Sequence, residues 1–200
     1  MSEILRIILP VYLALFSVIA FVIRSVLVWK RTGVNPYVVG KSDRPIDFVE
    51  SLHPVPVVLL IAATVIFSGF PWAYSYLAPI TWLESIYAQS VGVFLMGIAL
   101  VWTATAQMQM GQSWRIGIDF ENKTNLVEKG LFRISRNPIF VGMRMALWGF
   151  FLAMPNALTL VSVAMLDVLI QVQVRLEEEF LRGVHAETYV EYCGRVRRWI

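Results

Sequence analysis

Three consecutive glutamates, Glu177, Glu178 and Glu179, follow closely on an apolar run, with Arg175 just before them and Phe180 and Leu181 just after. Carboxylates in such a setting can bind a cation or take a proton from a substrate. On a helix three neighbours point in different directions, so at most one or two can face a pocket. Arg175 stands three and four positions before Glu178 and Glu179, a spacing that lets side chains share a helix face. A second block, Gly130-Leu-Phe-Arg-Ile-Ser-Arg-Asn-Pro138, ends in a proline suited to open a helix, with Asn137 as its cap. The free N–H groups of such an opening suit a carboxylate or another anion. Gly111, Gly117 and Gly130 punctuate the polar segment and allow sharp turns or close approach of the backbone.

Two further charges, Arg144 and Asp167, sit inside apolar stretches. A charge at membrane depth costs about 2.5–3.5 kcal/mol unless it is paired or reaches water. Counted from the ends of their helices, both lie on the order of 10 Å deep, and a pair between them is expected. That pair either fixes the register of two helices or lines a polar cavity, with Gln171 and Gln173 continuing the polar character outward. A single cysteine, Cys193, excludes an internal disulfide and a multi-cysteine metal site. With His53 and His185 as the only imidazoles, no metal centre is expected. The formal charge of +3 is spread through loops rather than gathered in a basic arm, which speaks against nucleic acid as a partner.

The elements that must position these groups are membrane helices. Hydrophobic residues make up 58% of the 200-residue chain and charged residues 16%, and the mean hydropathy is +0.65, too apolar for a dissolved domain of this size. Five stretches approach the roughly 20 apolar residues a spanning helix needs: residues 7–29, 54–70, 90–106, 138–154 and 158–174. The first has too long an apolar run for a signal peptide, and is expected to be retained. The last two are separated only by Pro155, Asn156 and Ala157, which predicts a tight helical hairpin. Fourteen of the seventeen basic residues fall after the first, third and fifth stretches, and the other two loops have none. The positive-inside rule then puts the N-terminus outside and the C-terminus in the cytoplasm. Pro71, Trp72, Tyr74, Tyr76 and Trp82 suit an aromatic belt at the outer face. The expectation is an all-α integral membrane protein of about five transmembrane helices. Residues 1–200 form a single membrane domain, with 1–80 as N-terminal, substrate-side helices and 90–200 as the core that holds the chemistry.

The run Gly130 to Phe140 resembles the Gly-x-Tyr-x-x-x-Arg-His-Pro-x-Tyr motif of the isoprenylcysteine carboxyl methyltransferase and phospholipid methyltransferase family of integral membrane methyltransferases. Glu177-Glu-Glu-Phe-Leu, followed by Tyr189-x-x-Tyr192 and Arg195-Val-x-Arg198, is similar to the same family's C-terminal signature, and one helical hairpin separates the two blocks. The resemblance covers roughly residues 90 to 200. It implies an S-adenosylmethionine-dependent methyltransferase whose cofactor pocket faces the cytoplasm, formed by the loop before the fourth helix and the C-terminal helical tail. By the same resemblance, Gly130, Phe132, Arg136, Asn137, Pro138 and Phe140 would line the cofactor, and Leu126 and Val127 would offer backbone contacts. Glu177 or Glu178 would meet the cofactor ammonium or the substrate, and Arg175 would orient a substrate carboxylate. This chain departs from the motif where Asn137 replaces the histidine, Phe132 and Phe140 replace tyrosines, and Val184-His185 replaces Phe-Gly. Asparagine hydrogen-bonds but does not titrate near neutral pH, so it supplies no base.

The implied acceptor is lipid-like or prenylated, a small molecule or a protein, with O-methylation of a carboxylate favoured, because a carboxylate nucleophile needs only aim and desolvation. A phospholipid amine, which must lose a proton first, and a small thiol are the alternatives. A sterol-type reductase using a nicotinamide cofactor, and a non-catalytic scaffold or transporter with Arg144 and Asp167 along its path, are the competing classes.

Overall fold

A backbone that crosses lipid must satisfy its own polar groups, and the apolar stretches of this chain do so as helices. The computed structural model describes residues 2–37, 44–117 and 125–200. Helices α1 (Ser2–Ser17) and α2 (Arg24–Thr32) are joined by a π-helical stretch, Val18–Ile23, into one rod that Gly33 ends at φ +70°. Within the π-helical stretch the Ala20 carbonyl accepts a 2.9 Å hydrogen bond from Gln107 Nε2, which ties the rod to a later helix. α3 (Pro45–Leu52) leads through His53 into α4 (Pro54–Gly69). α5 (Ile86–Met110), α6 (Pro138–Ala153) and α7 (Ala157–Arg195) complete the helices, and short 3-10 turns stand between them. Among the described residues β-pairing is confined to two isolated bridges, Tyr37 with Ile116 and Pro79 with Asn156.

Four helical segments are long and apolar enough to cross a membrane: Glu3–Thr32, Pro45–Gly69, Ile86–Ser113 and Ala157–Arg195. The fourth of the five expected stretches, α6, has 16 residues. It therefore reaches about 24 Å along its axis, short of the roughly 30 Å hydrocarbon thickness. It nonetheless runs from one end of the bundle to the other, packed closely against α5. A Cβ on Gly92 of α5 would come within 2.5 Å of the Gly149 carbonyl oxygen, and one on Gly142 would strike the Thr103 hydroxyl. Small residues at such a crossing let two backbones meet, the usual means of helix association in lipid. A buried cluster of Leu5, Leu9, Leu60, Phe67, Met96 and Phe150 joins α1, α4, α5 and α6.

The expected hairpin between α6 and α7 is present. Asn156 is fully buried, and its side chain caps α7 by accepting from Thr159 N at 2.9 Å. This turn pairs with the loop after α4, where Ile80 N donates to the Pro155 carbonyl and Ala157 N to that of Ala78. Trp72, Tyr76 and Trp82 stand exposed beside it. The basic loops and tail gather at the other end, through the Tyr37–Ile116 bridge, an Arg195–Glu128 ion pair and a bond from Arg136 N to the Arg197 carbonyl. α7 does not stop at the end of its apolar run. Its Leu, Glu and Arg side chains are strong helix formers, and it continues to Arg195 with one break at Ala186 (φ +45°).

Candidate active site

The charged end of the bundle is organised by Glu178. At 3% exposure it is bound by Arg136, whose Nε and Nη2 reach the two carboxylate oxygens at 3.2 Å each. Arg198 donates to the same carboxylate at 2.9 and 3.1 Å, and Asn137 Nδ2 at 2.8 Å. The remaining guanidinium nitrogen of Arg136 donates to the carbonyls of Val196 (2.7 Å) and Cys193 (3.2 Å). Burial works against the charge on Arg136, but Glu178 outweighs it, and the guanidinium holds its proton more tightly than usual. Ser135 Oγ and Asn137 Nδ2 also donate to the Arg198 carbonyl. The segment after α7 is thus laid across the start of α6. Pro138 does open α6, as its sequence predicts, but Asn137 does not cap it with its side chain. The Asn137 side chain is turned instead toward Glu178, to which Nδ2 donates a charge-assisted hydrogen bond.

Beside this hub lies a chamber of about 1010 Å³, at the upper end of ligand-pocket sizes. Its polar end is lined by Asn125, Leu126 and Val127, by Phe132, Arg136, Asn137 and Pro138, and by Gln173, Glu177 and His185. Its apolar end runs between the helices along Leu13, Phe16, Val57, Leu60, Met143 and Leu147. Glu177 accepts from Gln173 Nε2 at 2.9 Å. Facing it from α3 is a second acid, Glu50, which is 7% exposed and lines the same chamber. Oε1 of Glu50 has no hydrogen-bond partner among the described residues. Gly117, at φ +84°, lies beside Glu50, where an added Cβ would stand 3.0 Å from both its oxygens. His53, one turn beyond Glu50, also lines the chamber, and its Nδ1 is bound to the Val49 carbonyl at 3.1 Å.

Of the residues singled out in the sequence, Leu126, Val127, Phe132, Arg136, Asn137, Pro138, Phe140 and Glu177 come together around this chamber. Glu178 sits behind its wall as the partner of Arg136. Gly130 lies on the far side of the same loop at φ +61°, where a Cβ would strike the Gln109 side chain, whose Oε1 accepts from Leu131 N at 2.7 Å. Arg175 is exposed and donates to the Gln171 carbonyl at 2.6 Å, away from Glu178. Arg144 and Asp167 do pair, at 2.6 Å, and Gln171 and Trp148 add hydrogen bonds to the same carboxylate. Sequence reasoning missed Glu50. Its only signal is an acid in a short helical segment ahead of an apolar run, a weak one.

Comparison with known proteins bears on the half of the chain that carries Arg136, Asn137 and Glu178 of the hub. A family model described as phospholipid methyltransferase matches residues 85–188, from the start of α5 to just past the break in α7. No curated protein and no solved structure matches the chain.

Proposed function

Since the chain belongs to the phospholipid methyltransferase family, we propose that it is a membrane enzyme that uses S-adenosylmethionine to methylate the amine headgroup of a membrane lipid. The observation that carries this reading is the two-ended chamber, which joins a polar end built by the family segment to an apolar end between helices. A polar donor and a lipidic acceptor can meet there by different routes, the donor from water and the acceptor sideways from the bilayer. The residues at the polar end fit the donor. Phe132 and Phe140 offer aromatic faces to an adenine or a sulfonium, Leu126 and Val127 line the wall, and Glu177 offers a carboxylate to an ammonium. When bound, S-adenosylmethionine supplies a methyl group on a positively charged sulfur, so the protein needs to add only aim and dryness. Arg136 and Asn137, clamped by Glu178, hold the wall of that site in one geometry. The active site and the C-terminus then face the cytoplasm and the N-terminus the outside, as the distribution of basic residues favours.

An amine is preferred here over the carboxylate that the sequence resemblance favours, because the chamber carries two acids, Glu50 and Glu177. The arginines nearby are engaged elsewhere: Arg136 with Glu178, Arg175 with a backbone carbonyl outside, and Arg115 with the carbonyls of Gln112 and Trp114. A carboxylate acceptor would be repelled, and an ammonium attracted. The test uses purified protein in nanodiscs with methyl-tritiated S-adenosylmethionine and three acceptors: phosphatidylethanolamine, a prenylated cysteine and an alkyl thiol. Label is expected in phosphatidylethanolamine, and S-adenosylhomocysteine is expected to raise the melting temperature. Label in the prenylated cysteine alone would overturn the amine reading. Stabilisation by NADPH and not by S-adenosylhomocysteine would overturn methyl transfer altogether.

A further inference from the structure

We propose that Glu50, which lies outside the segment matched by the family, binds the acceptor: its carboxylate receives the ammonium of the amine lipid and takes one of its protons. The inference rests on the amine reading above and assigns a residue to it. A buried carboxylate without a partner is costly, and proteins rarely keep one without a use. The other two buried acids of the described chain are fully engaged, Asp167 by Arg144, Gln171 and Trp148, and Glu178 by Arg136, Arg198 and Asn137. Glu50 is the exception, since Oε1 has no partner among the described residues although the side chain borders a chamber.

Its surroundings among the described residues leave the carboxylate available. Gly117 presents bare backbone to it, where any side chain would press on both oxygens. The imidazole one turn away is held by the Val49 carbonyl through Nδ1. A second acid, Glu177, lines the same chamber, so a cation entering from outside meets two acidic side chains. Glu50 stands just ahead of α4, which lines the apolar end of the chamber. A headgroup at Glu50 lets its chains run along Val57 and Leu60 of the following helix and Leu13 and Phe16 of the first. The chemistry follows from this dryness. An ammonium paired with a carboxylate in an apolar wall can pass to a neutral amine and a carboxylic acid. One N–H bond breaks, one O–H bond forms, and the nitrogen keeps the electron pair with which it takes up the methyl group. Neither Asn137, which cannot titrate, nor Glu178, which is held by two arginines, is available for that step.

Two measurements test the assignment. In wild-type protein, labelling of Glu50 by a hydrophobic carbodiimide, mapped by mass spectrometry, is expected to be blocked by phosphatidylethanolamine and not by its N-acetylated form, which has no ammonium. Glu50→Gln is expected to lower kcat/KM for phosphatidylethanolamine by at least about a hundredfold, a general acid–base effect. Its affinity for S-adenosylhomocysteine should stay unchanged, and Glu50→Asp should recover part of the loss. Equal protection by the two lipids, full activity of Glu50→Gln, or lost S-adenosylhomocysteine affinity in place of lost acceptor use would each overturn the assignment. If Glu50→Gln fails to fold, the wild-type labelling decides alone. A wild-type protein that methylates only the prenylated cysteine or the thiol would remove the amine reading itself, whereas one that methylates phosphatidylethanolamine with Glu50 unprotected removes only the role of Glu50.

Discussion

At the scale of single residues, the buried charges divide into those that hold the structure and those that face the chamber. Arg144 and Asp167 belong to the first group: bonded at 2.6 Å, with Arg144 stacked 4.6 Å over the Trp199 ring, they join α6, α7 and the segment after it. Removing one partner strands the other, which costs about 3 kcal/mol or more, while replacing both with apolar side chains is often neutral. Asp167→Leu is therefore expected to lower the melting temperature markedly, and Arg144→Leu with Asp167→Leu to restore most of it. If the pair is structural, the double variant also keeps methyl transfer, and a stable but inactive double variant would assign the pair to the chemistry. This pair was legible in the sequence because two charges inside neighbouring apolar runs have few other options. The hub at Glu178 was legible only in part. Arg136 and Glu178 both stood out, but nothing in a separation of 42 positions says that they bind each other, nor that Asn137 would leave its capping role to join them.

Helices were the most readable elements, since each spanning stretch announces itself by length and hydropathy, and the hairpin by its Pro-Asn turn. Their ends were not. α7 runs on through a charged sequence because helix propensity, not hydrophobicity, governs that part, and α3 is too short at eight residues to show a period. That is why Glu50 escaped notice, for its importance comes from α3 packing beside α7 rather than from any local pattern. The close approach of α5 and α6 also depends on positions that composition does not reveal. A Cβ on Gly92 would lie 2.5 Å from the Gly149 carbonyl and 2.7 Å from Ala153 N, both backbone atoms that cannot move independently. Gly92→Ala is expected to destabilise the protein by about 1–3 kcal/mol, the usual cost of overpacking, read as a lower melting temperature. Gly97→Ala on the same helix, where the added Cβ meets open space, is the control and should have little effect.

For the whole molecule, the gathering of basic loops at one end gives a definite topological expectation. Cys193 is the single cysteine, partly exposed and close to the hub, so the natural chain carries its own reporter. A membrane-impermeant maleimide should label it in inside-out vesicles and not in right-side-out ones, and the reverse pattern would invert the proposed orientation. The segment after α7 has a consequence for biosynthesis. Ser135, Arg136 and Asn137 leave the ribosome some sixty residues before the carbonyls of Val196, Arg197 and Arg198 that they bind. The helices can therefore be threaded into the bilayer while Arg136 still lacks its carbonyl partners and Glu178 lacks the second arginine. Insertion of the helices and closure of the hub are thus separable events in synthesis, and the second waits on the arrival of the segment after α7.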